Sequence, residues 1–198
     1  MKDNVSITGT AHSDRIHDSA SKHVTGAADY TDDITLPEGT LHAYLGVSDV
    51  AHATLLDIDY TDVLATPGVI GILTAEDVPG VNDLSPTGLK DEPVFPTDLI
   101  QFHGQPLFAV IAETRDIARH AAEKAKINCD VLPHALDPIQ AQQAGYPHVT
   151  APLKLERGDV DGALETASNR IKGRIAVGGQ DHMCLEGHIA LAIPGEDD

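Results

Sequence analysis

The residues best suited to chemistry in this chain are Gly178-Gly179-Gln180. Two successive glycines let the backbone approach a bulky ligand closely, and the neutral amide after them can donate a hydrogen bond to an oxo group. The same tripeptide also reads as a glycine-rich bend with a solvent-exposed Gln. Close by, His182 and His188 flank Glu186, and eleven histidines in the chain invite a metal hypothesis. Their spacing matches no usual zinc pattern, because HExxH needs both histidines on one helical face and this stretch reads as turn and strand. Surface or core histidines are the better reading. Asp32-Asp33 and Asp57-x-Asp59 lack the alternating acids and closing Glu of an EF-hand loop, so they read as strand ends and caps.

Other chemistries are excluded by what is missing. Gly178-Gly179 is followed by neither GK[ST] nor a GxGxxG helix start, so no nucleotide-binding loop is implied. No GxSxG elbow is present to support a hydrolase triad. The two cysteines, Cys129 and Cys184, have no CxxC spacing and support neither a disulfide framework nor structural zinc. Thirteen Lys plus Arg against thirty-one Asp plus Glu give a net charge of −18, which opposes the phosphate neutralisation that nucleic-acid binding requires. Residues 41 to 100 hold ten acids and only Lys90 as a base. That excess is read as a solvated, solubilising face. The first thirty residues lack the apolar centre of a secretory signal. The longest clean apolar run, Leu107 to Ala112, is far short of the roughly 18 residues of a membrane span. No nucleic acid and no membrane are expected as partners, and a reduced, cytoplasmic location is the default.

The elements that must position Gly178-Gly179-Gln180 follow from periodicity. Leu41, Ala43, Leu45 and Val47 alternate with His42, Tyr44, Gly46 and Ser48, predicting a half-buried strand after the Pro37-Glu38-Gly39 turn. A short strand at Leu55 to Ile58 and helical residues at Thr61 to Ala65 follow, before Pro67-Gly68 breaks the chain. Val69 to Leu73 reads as a buried strand, and the Thr74 hydroxyl can cap a turn with Asp77. Pro79 to Pro96 is a long loop, of a kind often functional or interfacial.

Leu107 to Ala112 predicts a fully buried strand. Thr114 then starts a helix carrying Ile117, Ala121 and Ala125 on one face, and Ile127 to Val131 forms the next strand, a succession of about βαβ length. Asp137 can cap a short helix with Pro138 at its first position, and Gly145 to Pro152 looks like a linker. Beyond it come expected strands at Leu153 to Glu156, Arg170 to Val177 and Ile189 to Ile193, and a helix at Asp159 to Ala167. The chain closes on a turn signal at Gly195 to Asp198. Alternating element types indicate a mixed α and β fold. A second unit of some fifty residues is small for an independent core, so the chain looks interrupted.

Several stretches together resemble the N-terminal part of the molybdenum-binding subunit in the molybdenum hydroxylase (aldehyde oxidase/xanthine dehydrogenase) family. They are His17-Asp18-Ser19-Ala20, His23 to Ile34, Pro67-Gly68-Val69, Leu73 to Asp83, Asp91-Glu92-Pro93, His103-Gly104-Gln105-Pro106, Leu132-Pro133, Arg157-Gly158-Asp159, Gly178-Gly179-Gln180-Asp181-His182 and Leu185-Glu186-Gly187. Each is modest alone, but their order and spacing are specific, and the match runs nearly end to end.

The resemblance implies an α+β protein. Residues 1–144 would form an α/β-hammerhead domain, with an ordered core about 20–135. Residues 145–198 would be the linker and an incomplete start of the first molybdopterin-binding domain. It implies that Gln180, with Gly179, lies beside the molybdenum–molybdopterin cofactor, Gln180 hydrogen-bonding an oxygen on the metal without being a direct ligand. This would be electrostatic positioning of the metal-oxo group. Cys184 is not implied as a ligand.

The family reaction, typified by its xanthine dehydrogenase members, hydroxylates a purine carbon, taking hypoxanthine and xanthine to urate. Its catalytic Glu and the Glu and Arg that hold the purine are expected downstream of Asp198, so this segment contains no catalytic residue and is expected to be inactive alone. Expected partners are the remainder of the subunit, an iron–sulfur/FAD subunit carrying 2Fe–2S and FAD, and the purine. After Gly-Gly-Gln-Asp-His the family usually carries two aromatic residues, where this chain has Met183-Cys184, which leaves substrate range less fixed than fold. Two alternatives stay open at this point: another molybdenum hydroxylase acting on an aldehyde or N-heterocycle, and a freestanding, non-catalytic hammerhead module.

Overall fold

A computed structural model describes residues 15–195. In chain order the elements are α1 (Ala20–Thr25), β1 (His42–Val47), β2 (Ala53–Asp59), α2 (Thr61–Leu64), β3 (Val69–Leu73), β4 (Leu99–Ile100), β5 (Pro106–Ala112), α3 (Arg115–Ala122), β6 (Lys126–Val131), α4 (Pro138–Gln143) and α5 (Val160–Thr166), with 3-10 turns at Thr31–Asp33 and Ala75–Asp77. The chain divides into two compact units, one built from residues 37–170 and the other from the N-terminal residues up to Leu36 together with residues from Ile171 onward.

The larger unit holds two three-stranded sheets, ordered β1-β5-β3 and β4-β2-β6, and every pairing is antiparallel. The strand, helix and strand of β5, α3 and β6 are therefore not a βαβ crossover, because β5 and β6 lie in different sheets. One core joins them: Phe108 and Val110 of β5, Ala53 of β2, Ile100 of β4, Val63 of α2, and Ala118 and Ala121 of α3 are all buried. The Tyr60 and Phe108 rings meet edge-on, 5.0 Å between centroids, a geometry the ring quadrupoles favour.

The caps expected from sequence are formed. Thr114 Oγ1 accepts from the Ile117 amide (3.2 Å) at the start of α3. Asp137 Oδ1 accepts from the Ile139 and Gln140 amides at the start of α4. Asp77 accepts from the Thr74 amide (2.8 Å), while the Thr74 hydroxyl accepts from the Glu76 amide, a reciprocal box on a 3-10 turn. Gly68 has φ +84°, and a Cβ there would press on Ile117 Cδ1. Only a glycine lets the turn before β3 sit beneath α3.

β1 is the half-buried strand that its alternation predicts, and its more apolar side is the outer one. Tyr44, Gly46 and Ser48 face the core, and Leu41, Leu45 and Val47 remain 47–48% exposed on the outer side of the sheet. The choice follows from β5, where Gly46 pairs with Phe108 and Tyr44 with Val110. Residues opposite one another share a face, so the side of β1 that meets the buried Phe108 and Val110 is inward whatever its own polarity. Ser48 is accommodated because its hydroxyl donates to the Val50 carbonyl and accepts from the Val50 amide, as a buried hydroxyl requires.

The loop expected at Pro79 to Pro96 has no helix or strand but closes on itself. Asn82 Nδ2 donates to the Phe95 carbonyl (2.7 Å) and Asn82 Oδ1 accepts from the Phe95 amide, leaving Phe95 buried. No helix or strand lies between Ala144 and Asp159, a span that includes the Gly145 to Pro152 stretch read as a linker.

Three expected strands are not formed. Leu153 to Glu156, Arg170 to Val177 and Ile189 to Ile193 run without ladder partners among the described residues. Their sequences have strand character, but an extended segment becomes a strand only when a neighbour takes its amides and carbonyls. The polar N-terminal stretch also contains an unexpected helix, α1. The closing turn at Gly195 to Asp198 lies mostly outside the described residues.

Candidate functional site

The smaller unit carries Gly178-Gly179-Gln180. Neither glycine has a positive φ, and a Cβ on either would meet nothing within 4 Å. Packing within the chain therefore does not demand glycine at these positions. Gln180 is exposed, and its amide makes no hydrogen bond among the described residues. The chain then turns: Asp181 Oδ1 accepts from the Met183 amide (3.0 Å), and Met183 takes a left-handed conformation with φ 47°, a region that a long side chain seldom occupies. Met183, Cys184 and Leu185 are all exposed.

The next polar residue, Glu186, returns the chain to the N-terminal segment. Its Oε1 accepts from the Thr31 amide at 2.8 Å, across 155 positions of sequence. Thr31 opens the Thr31–Asp33 turn, which is organised in its own right. Asp33 Oδ2 accepts from the Tyr30 amide (3.0 Å), and the Tyr30 hydroxyl lies 3.0 Å from His23 Nδ1 on α1. His17 stacks obliquely against His23, 6.5 Å between centroids.

Glu186 is thus an anchor between segments and not a ligand held between His182 and His188. Among the described residues no three His, Cys, Asp or Glu side chains converge as a metal site. Nothing local in the sequence distinguishes this role, since the partner is a backbone amide 155 residues away. The only hint was that both stretches belong to the motifs quoted above.

The paired acids serve the fold. Asp57 Oδ1 accepts from Asn128 Nδ2 (2.8 Å), and Asp59 Oδ1 accepts from the Thr61 amide (2.8 Å). Hydrogen bonds from the Thr61 hydroxyl and amide hold the Asp59 carboxyl below its ordinary range, helped by Lys126. Lys126 lies 2.7 Å from Asp62, which raises its ammonium pKa. Asp33 caps its own turn. His103-Gly104-Gln105-Pro106 is likewise structural: Gln105 is buried, its Oε1 accepts from the Gln101 amide (2.7 Å), and its carbonyl accepts from the Ser48 amide. Cys129 and Cys184 are both free thiols. A groove of about 380 Å³ in the larger unit, lined by Leu55, Asp57, Ile58, Tyr60, Glu76 and Leu107, contains neither the Gly178-Gly179-Gln180 strip nor any of the histidines.

With this geometry in hand, similarity to known proteins is informative. Residues 25–133 match the aldehyde oxidase and xanthine dehydrogenase a/b hammerhead domain, and residues 142–198 match the molybdopterin cofactor-binding domain. The chain belongs to the aldehyde oxidase and xanthine dehydrogenase family. Its fold is α+β, a hammerhead domain followed by the beginning of a molybdopterin cofactor-binding domain.

Xanthine dehydrogenase of Oryza sativa subsp. japonica is 40% identical over 181 residues, covering 90% of this chain and 13% of that protein. Aldehyde oxidase 2 of Rattus norvegicus is 36% identical over 183 residues, covering 92% and 13%. Among solved structures, aldehyde oxidoreductase from Desulfovibrio desulfuricans is 34% identical with a TM-score of 0.56, over 63% of this chain and 15% of that one. The chain thus spans 13–14% of the length of these curated relatives and others that it matches. No described helix is long and apolar enough to cross a membrane.

Proposed function

We propose that this chain supplies the hammerhead domain (1–144) and the opening of the first molybdopterin-binding domain (145–198) to the molybdenum-binding subunit of a xanthine dehydrogenase. The observation that carries the reading is the exposed Gly178-Gly179-Gln180 strip, whose glycines have no packing duty and whose amide has no hydrogen-bond partner among the described residues. These residues fit one wall of a cofactor site. A Cβ at either glycine would intrude on a face that the chain itself leaves open, and the amide is available to an external acceptor. In this role Gln180 is a hydrogen-bond donor beside the metal centre and not a ligand to it.

In this reading Gly179 would allow close approach of the backbone, and Gln180 Nε2 would donate to an oxygen acceptor of the cofactor. A neutral amide adds a fixed dipole without a charge, so it can stabilise developing negative charge with little reorganisation. When bound, molybdenum–molybdopterin supplies the two-electron redox chemistry of purine hydroxylation, which no side chain here provides. The catalytic Glu and the purine-holding Glu and Arg lie downstream of Asp198, and these 198 residues alone do not convert xanthine to urate. A partner subunit carrying 2Fe–2S and FAD would be the electron acceptor, in the cytoplasm, as part of purine catabolism. The 36% identity to an aldehyde oxidase supports an aldehyde substrate as the second reading.

The test is the complete enzyme assayed on hypoxanthine, xanthine and aldehydes, with molybdenum quantified. Purine turnover that falls about 10²-fold per bound molybdenum in Gln180→Ala is the expected result, by analogy with removal of an oxyanion donor. An enzyme active on aldehydes and not on purines overturns the substrate. Unchanged turnover in Gln180→Ala overturns the role of the amide.

A further inference from the structure

We infer that Glu186 is a positioning residue: by accepting the Thr31 amide it ties the segment that carries Gln180 to the Thr31–Asp33 turn, and so sets where the Gln180 amide is held. The inference deepens the cofactor-site reading above and rests on it.

Little else among the described residues holds this segment. Residues 171–195 contain no helix or strand, and Gly178 and Gly179 touch nothing that a side chain would displace. Between Gln180 and Glu186 the only side-chain hydrogen bond is the Asp181 turn onto Met183, which shapes the bend but attaches it to nothing else. The Glu186–Thr31 bond, at 2.8 Å, is the one side-chain hydrogen bond among the described residues that joins residues 171–195 to the N-terminal segment. A glycine pair leaves its neighbours conformationally free, so the nearest fixed point determines how far Gln180 wanders. That point is six residues away.

The receiving turn is itself preorganised. Asp33 fixes the Tyr30 amide, Tyr30 meets His23, and His23 sits on α1. The Thr31 amide is the first N–H of a helical turn, which has no partner inside the turn and points outward. A carboxylate accepting it makes a charge-assisted bond, stronger than one between neutral groups. The chain therefore supplies a fixed donor, and among the described residues Glu186 supplies the acceptor that reaches it. Displacement of an aligned group by even 1 Å lowers turnover strongly, which is how an anchor six residues from Gln180 reaches the chemistry.

The experiment uses the complete, assembled enzyme and four single variants: Glu186→Ala, Glu186→Gln, Thr31→Pro and Gln180→Ala. Thr31→Pro removes the donor from the other side. Proline is tolerated at the first helical position, and Tyr30 before it is already extended (φ −103°, ψ 165°), as a residue preceding proline must be. Turnover is read as kcat per bound molybdenum. Hydrogen-exchange mass spectrometry follows the Thr31 amide and residues 178–187, whether or not the metal is loaded.

In Glu186→Ala we expect exchange at Thr31 to rise about tenfold, faster exchange across 178–187, and kcat lowered about tenfold with KM within twofold. Thr31→Pro should reproduce the faster exchange across 178–187 and the kcat loss, and combining it with Glu186→Ala should add nothing. Glu186→Gln keeps an acceptor oxygen and should recover most of kcat.

Slow exchange at Thr31 in Glu186→Ala, or normal kcat in both Glu186→Ala and Thr31→Pro, overturns the inference. So does Gln failing to rescue while Ala is impaired. The two readings separate cleanly. If Gln180→Ala loses turnover but Glu186→Ala and Thr31→Pro do not, the anchor fails and the cofactor-site reading stands. If Gln180→Ala is unimpaired, the cofactor-site reading fails whatever the exchange shows. If Glu186→Ala does not assemble, Thr31→Pro and Glu186→Gln carry the same tests.

Discussion

Gly46 lies directly opposite Phe108 in the β1–β5 ladder, and the Phe108 ring covers it so closely that a Cβ at position 46 would collide with the ring. Phe108 is fully buried and its ring also meets Tyr60 edge-on, so it has little room to retreat. Gly46→Ala should destabilise the chain by about 1–3 kcal/mol, the usual penalty of overpacking. Denaturant melts of Gly46→Ala with and without Phe108→Leu check this, since trimming the ring should recover part of the loss.

The inward face of β1 makes a second prediction. Tyr44→Ala should cost about 2 kcal/mol through lost apolar burial. Leu45→Thr, on the outer face beside the half-exposed Leu41 and Val47, should stay within about 1 kcal/mol of the parent. Equal losses at the two positions would contradict the observed register.

Stability should also fall at both ends of the pH scale, for separate reasons. Asp59 has a lowered carboxyl pKa, so its contribution is present above the unfolded value of 3.8 and disappears as pH falls through the folded value. Burial raises the Tyr60 phenol above 10.0, and Asp62 raises Lys126 above 10.5. Their contributions are full below those values and are lost as pH rises through the folded ones. Thermal melts from pH 2 to 11 should show Asp59→Asn flattening the acid limb. Tyr60→Phe should soften the alkaline limb while leaving neutral pH nearly unchanged.

Thr114→Ala should cost about 1 kcal/mol by removing the cap of α3, and Thr114→Asp should keep most of that stability. Because α3 contributes Ala118 and Ala121 to the core, the effect should appear in the cooperative melt of the larger unit and not as local fraying, which circular dichroism and hydrogen exchange together distinguish.

Gly178→Ala and Gly179→Ala should leave the melting of this chain within about 0.5 kcal/mol of the parent, because an added Cβ meets nothing within 4 Å. In the complete subunit the same changes should lower bound molybdenum, measured by mass spectrometry of the metal. Full metal content in both variants would remove the glycines from the cofactor wall.

Much of this protein was written locally in its residues. The caps at Thr74, Thr114 and Asp137 are formed by side chains reaching amides two or three positions ahead, so nearest neighbours suffice to specify them. The positive-φ turn at Gly68 and the continuous apolar run of β5 are local in the same sense.

The tertiary structure decided what depends on a partner distant in sequence. Leu45 and Tyr44 both belong to a strand that can bury either side, and the neighbouring Phe108 and Val110 settle which. Leu153 to Glu156 and Arg170 to Val177 have the composition of strands and no ladder to join among the described residues. Glu186 has no local mark of its role, because its hydrogen bond goes to a backbone amide 155 residues away. Turns and caps are satisfied by atoms already close along the chain. Strand faces and long-range anchors depend on which other surfaces arrive, and only the folded arrangement supplies those.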